Sequence, residues 1–146
     1  MIQLIQAIYL FLAGAASLAL FSLAFVNVSG DTASIAAFSD GDFDINDNIA
    51  LMILAIVAGV VAILNIFLFN NRKLQTNIGK LVILLNVVLA VLAGFFLYQT
   101  MGSASVEVAP NAGFGMPVLS IIFAFLANRN ITKDEKLVKS AYNRLR

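Results

Sequence analysis

From Ile49 to Phe69 the chain runs through twenty-one residues with a single strongly polar side chain, Asn65. About 20 residues of helix, rising 1.5 Å each, cover a hydrocarbon layer of about 30 Å, so a run of this length spans a bilayer and far exceeds what an ordinary soluble core needs. Three more apolar blocks share the chain: Leu4 to Val28, Leu81 to Tyr98 with Asn86 inside it, and the shorter Ala112 to Ala127, which carries Pro117. Composition agrees, with 61% hydrophobic and 12% charged residues against roughly 45–50% and about 25% in soluble domains. The expected fold is an all-α integral membrane protein. Four transmembrane helices (approximate spans 4–28, 49–69, 81–98 and 112–129) form an antiparallel bundle over residues 1–131, followed by a cytoplasmic amphipathic helix, 132–146.

The first block resembles a secretory signal in position but not in form. Its apolar stretch exceeds the 7–15 residues of a signal core and no positive segment precedes it, so it is read as a retained helix. The fourth block needs either continuation past Asn128 or a start near Pro110. In the latter case Gly113, four residues before Pro117, relieves the clash that proline makes with a helical carbonyl.

Loop charge sets the orientation. Asn70 to Lys80 carries Arg72, Lys73 and Lys80 with no acid, and Asn128 to Arg146 carries six bases and two acids. Ser29 to Asn48 and Thr100 to Asn111 contain no Lys or Arg. By the positive-inside rule the first pair is cytoplasmic and the second external, which places both termini of a multi-pass membrane protein in the cytoplasm.

Small residues define the helix faces. Ala55, Ala58, Gly59, Ala62 and Asn65 share one side of the second helix, and Asn86, Ala90, Ala93 and Gly94 share one side of the third. An antiparallel hairpin would bring Asn65 level with Asn86, Ala62 with Ala90, Gly59 with Ala93, and Ala58 with Gly94. Small side chains admit close backbone approach and an amide bonds across where lipid offers no partner, so Asn65 and Asn86 are expected as an interhelical polar contact. A ligand or ion site is the alternative reading of the same pair. Gln3, Gln6 and Tyr9 lie near the same end; Gln6 and Tyr9 would extend the pair into a polar cluster or anchor the helix at the interface.

Several chemistries are excluded. Without Cys or His there is no thiolate nucleophile, imidazole base, or site built on either ligand. No Asp, Glu, Lys or Arg sits within the central stretches of the four spans, whereas ion-coupled pumps keep an ionisable group near the midplane. Asp40, Asp42 and Asp44 stand at positions 1, 3 and 5 of a calcium loop, yet Ile45 and Leu51 occupy the places of the required Gly and Glu. That loop is read as a solvated acidic connection, with Asn46 or Asp47 capping the second helix. No catalytic residue and no cofactor is assigned.

In the tail, Thr132 and Glu135 match a capping box. Leu137, Val138, Ala141, Tyr142 and Leu145 then fall on one face, with Lys136, Lys139 and Arg144 around it. A basic amphipathic helix beside a membrane lies along the anionic leaflet or docks on a partner. Nucleic acid is not an expected partner for so short a helix next to lipid.

The opening Met1-Ile2-Gln3-Leu4-Ile5-Gln6-Ala7-Ile8-Tyr9-Leu10 and the stretch Phe125-Leu126-Ala127-Asn128-Arg129-Asn130-Ile131, continuing through Lys133 to Ser140 and closing on Arg144-Leu145-Arg146, resemble an uncharacterised family of small four-helix inner-membrane proteins of Bacteroidota. Members commonly carry Arg at the fourth position, where this chain has Leu4. The resemblance implies the architecture and carries no activity. The functional expectation is a non-enzymatic structural, assembly or accessory subunit of a larger inner-membrane complex, with lipid and membrane proteins as partners. The alternative is a small-molecule or lipid-binding membrane protein with a polar site among the cytoplasmic helix ends.

Overall fold

The computed structural model describes residues 2–30, 41–101 and 106–144. It contains four helices in the order α1 (Ile2–Ala19), α2 (Ile49–Ile66), α3 (Arg72–Met101) and α4 (Ala112–Arg144). Three strands, β1 (Val26–Gly30), β2 (Asp42–Phe43) and β3 (Val106–Pro110), lie in the connections.

Asparagines start three of the helices. Asn48 sits in an extended conformation and its side chain accepts from the Ala50 N–H, so it caps α2 in place of the expected Asn46 or Asp47. Those two residues serve the preceding turn, where the Asp44 N–H donates to Asp47 and both Asp44 carboxylate oxygens accept from Asn46. Asn71 accepts from the Leu74 N–H at 3.1 Å to begin α3. Asn111 accepts from the Ala112 N–H to begin α4.

The helices pack in a ring: α1 touches α2 and α4, and α3 touches the same two. Gly14 lies against Ala62 and Gly59 against Leu18, which makes α1 and α2 antiparallel. A one-turn 3-10 helix, Phe67–Asn70, closes the α2–α3 hairpin. The second and third helices are direct neighbours, as expected, but their register differs from the expected one. α3 starts at Arg72, inside what was read as a loop, and this tight turn brings the Asn65 carbonyl level with Gln75, whose side-chain amide donates to it at 3.2 Å. Asn86 therefore lies about a dozen residues farther along α3 than the expected pairing requires. The small face of α2 around Gly59 packs on α1, and Gly94 is exposed with nothing near the position of a Cβ.

Three strands correct the all-α expectation. β1 pairs antiparallel with β2 (Val26 opposite Phe43) and, along its full length, with β3 (Val26 opposite Pro110, Gly30 opposite Val106). The first apolar block is thus not one span over 4–28: its helix ends at Ala19 and the rest turns into β1. Phe25, Val26, Val28, Phe43 and Ile45 are buried under this sheet against Leu51, Leu89 and Ala93. Gly113 fits there because its N–H donates to the Ala24 carbonyl, and a Cβ would meet that oxygen at 2.3 Å.

α4 corrects the tail. It continues through Thr132 without a break, and the Thr132 hydroxyl donates back to the Asn128 carbonyl, so the capping box does not form. The helix measures about 50 Å by its rise, well beyond a hydrocarbon thickness of about 30 Å.

Ile53, Val60, Leu64, Leu84, Val91, Phe125 and many other large apolar side chains are exposed around the bundle. Exposed apolar surface on this scale marks a contact with lipid or with protein rather than with water. Ile49–Asn70, Arg72–Gln99 and Ala112–Tyr142 are long and apolar enough to cross a bilayer, while α1 is a shorter apolar helix.

Candidate functional site

Two polar layers and one groove interrupt this apolar frame. The first layer lies inside the bundle, where Ser17 of α1, Asn86 of α3 and Ser120 of α4 are fully buried. The Ser17 hydroxyl lies 3.0 Å from Asn86 Oδ1 and 3.0 Å from Ser120 Oγ. Ser120 donates to the Ala13 carbonyl at 2.8 Å, and Asn86 Nδ2 donates to the Val82 carbonyl. Two hydroxyl protons are shared among these contacts, so each oxygen is satisfied without any ionisable group. Such a layer fixes the relative rotation of three helices, because each buried polar group has its partner on a neighbouring helix or on backbone.

The second layer belongs to the hairpin end, and each helix contributes one buried amide to it: Gln6, Asn65, Gln75 and Asn128. Gln6 Nε2, both Asn65 amide atoms and Asn128 Oδ1 have no hydrogen-bond partner among the described residues. The expected Asn65–Asn86 contact is therefore not made: Asn86 bonds Ser17, and the Asn65 side chain bonds none of the described residues. Tyr9 stacks on Phe123 at 6.4 Å between ring centroids rather than joining a cluster with Gln6. Of the expected packing residues, Ala58, Gly59, Ala62 and Ala93 are buried, while Ala90 is half-buried.

At the same end an open groove of about 510 Å³ separates α3 from α4. Lys80, Arg129, Lys133 and Lys136 line it, with Asn128 among them and the apolar Ile83 and Phe125 alongside. Their acidic neighbours are occupied elsewhere. Asp134 pairs with Arg72 at 2.5 Å, and Glu135 pairs with Lys139 one turn on. The Lys139 hydrogen bond and charge hold the exposed Glu135 carboxyl below its ordinary value. Basic groove residues were visible in the sequence as scattered charges; that α3 and α4 bring them together depended on the hairpin register.

Beyond Leu137, which lies beside Ile5 of α1, the last turns of α4 run past the groove, with Leu137, Val138 and Tyr142 exposed, Tyr142 to 72%. Lys136 and Lys139 are exposed beside them. Leu145 and the Arg144 side chain lie outside the described residues, as does Asp40 of the acidic loop.

The fold defines a small helical-bundle protein with three helices able to cross a membrane, capped at one end by a three-stranded sheet. The chain belongs to the family described as "Domain of unknown function (DUF4293)", which it matches over residues 2–145. Neither the curated proteins nor the solved structures contain a match to it.

Proposed function

We propose that the protein is a four-span inner-membrane protein, with both termini cytoplasmic, that acts as a non-enzymatic accessory or assembly subunit of a larger membrane complex. The observation that carries the subunit reading is the projecting end of α4. It continues a helix of the bundle into the aqueous side and exposes Leu137, Val138 and Tyr142 where no lipid tails solvate them. A rigid helix face of this kind suits docking onto a partner subunit. The Ser17–Asn86–Ser120 layer supports the same reading, because its amide and hydroxyls bond to one another or to backbone, and among the described residues no base bonds Ser17 or Ser120.

Topology is supported by charge in space. Four of the six described acids, Asp42, Asp44, Asp47 and Glu107, lie at the sheet end, and every described Lys and Arg lies toward the hairpin end, together with Asp134 and Glu135. α1, at 18 residues or about 27 Å, reaches nearly across the hydrocarbon layer. The chain contains no cysteine, so single replacements report cleanly. A membrane-impermeant maleimide should label Asn46→Cys in intact cells and Lys73→Cys only after permeabilisation; the reverse pattern overturns the orientation. For the subunit reading, Leu137→Asp with Tyr142→Asp should release the protein from its native-gel complex while the purified variant keeps its helical content. Unchanged migration of that variant in the complex overturns it.

A further inference from the structure

We propose that the groove between α3 and α4 binds the phosphate head group of an anionic phospholipid, with an acyl chain running along Ile83 and Phe125. The inference rests on the membrane reading above, but not on the subunit reading.

Four cations converge on the groove from two helices. Lys80 comes from α3, and Arg129, Lys133 and Lys136 come from successive turns of one face of α4. Among the described residues none of the four has an ion-pair partner, because the two acids of that stretch are held by Arg72 and Lys139. Arrays of unpaired like charges cost free energy unless an anion joins them, and two-helix placement gives the anion a fixed seat. The hydroxyl protons of Thr76 and Thr132 at the groove wall donate to backbone carbonyls, which leaves the cations as the donors.

Depth selects the occupant. Lys80 is the last charge of α3 before its apolar stretch, and Arg129 is the first charge of α4 after its own. These two residues mark the hydrocarbon boundary. Ile83 and Phe125 lie about one turn deeper, whereas Lys133 and Lys136 lie one and two turns into the head-group layer. A free phosphate would use the outer half of this groove only; a phospholipid uses both halves at once. Asn128, 8% exposed, lines the floor of the groove beside the cations. Gly79 makes room for that amide, since a Cβ there would meet it at 2.0 Å.

The test uses the full chain purified in a mild neutral detergent and titrated with phosphatidylglycerol, phosphatidylcholine or inorganic phosphate, with bound lipid read by native mass spectrometry. We expect saturable binding of phosphatidylglycerol at least 10-fold tighter than of phosphatidylcholine, and no displacement by inorganic phosphate at equal concentration. Lys80→Gln with Arg129→Gln should weaken phosphatidylglycerol binding about 10-fold or more, while Lys73→Gln with Lys139→Gln, the same charge change outside the groove, should leave it within twofold. Should the first variant lose its helical content, Lys133→Gln with Lys136→Gln at the open rim takes its place with the same expectation. Equal binding of the two lipids, equal loss in both kinds of variant, or displacement by inorganic phosphate overturns the proposal. Maleimide labelling of the Asn46→Cys and Lys73→Cys variants in intact and permeabilised cells separates this failure from a failure of the membrane topology.

Discussion

Asn65 and Asn86 are the same side chain, both fully buried, in opposite circumstances. Asn86 closes a network across three helices, whereas the Asn65 amide meets no partner. Replacing Asn86 by Leu, which has the same branching, should destabilise the protein by about 1–2 kcal/mol, the upper range for polar contacts between membrane helices. Asn65→Leu removes a buried unsatisfied amide and should be neutral or stabilising. Equilibrium unfolding in mixed micelles measures both, and equal losses would mean that Asn65 is bonded after all. Glycines divide in the same way. Gly113→Ala drives a Cβ into the Ala24 backbone and should cost several kcal/mol, while Gly94→Ala meets open space and should gain up to about 1 kcal/mol of helix propensity. The sequence marks all these residues as small or polar on helix faces. It does not reveal which face meets which helix, because that depends on the hairpin turn: a helix beginning at Arg72 rather than Leu81 moves every facing pair.

Elements were legible in their cores and misread at their ends. Apolar runs locate α2, α3 and the inner part of α4, since no other secondary structure satisfies that much backbone in lipid. The strands were hidden because Val26-Asn27-Val28-Ser29 follows an apolar helix directly and Val106-Glu107-Val108-Ala109 is too short to be more than a loop on its own; each acquires meaning only from the other. With no native cysteine to interfere, Asn27→Cys with Ala109→Cys should cross-link on mild oxidation, while Asn27→Cys with Val108→Cys, one residue out of register, should not. At the other end, Thr132-Lys133-Asp134-Glu135 has every local sign of a helix start, yet contacts of Ile131 with the bundle and the Arg72–Asp134 pair carry α4 through it. Proline is welcome at the first position of a helix and costs about 3 kcal/mol inside one. Lys133→Pro should therefore lower micellar unfolding stability by about that amount or bend α4 measurably; a silent substitution would restore the separate tail helix.

For the molecule as a whole, the separation of charge was the most legible property, since it survives any error in register. Bases reside at the start of α3 and along the end of α4, two places far apart in sequence and adjacent in the fold. Orientation should accordingly be redundant. Neutralising Arg72, Lys73 and Lys80 together should leave Asn46→Cys labelled from outside, and adding Arg129→Gln, Lys133→Gln and Lys136→Gln should produce a mixed population. A fully inverted protein after the first triple change alone would assign the whole signal to the hairpin.

The pairing of β1 with β3 also imposes a timetable. Gly30 and Val106 are partners 76 positions apart, and at about 5–20 residues synthesised per second roughly 4–15 s pass between their appearances. During that interval β1 has at most the two-residue β2 on one side, and its other edge stays open. The strand that completes the fold is thus the one delivered just before the last helix. A chain stalled after α3 therefore carries an open β1 edge that the finished molecule covers.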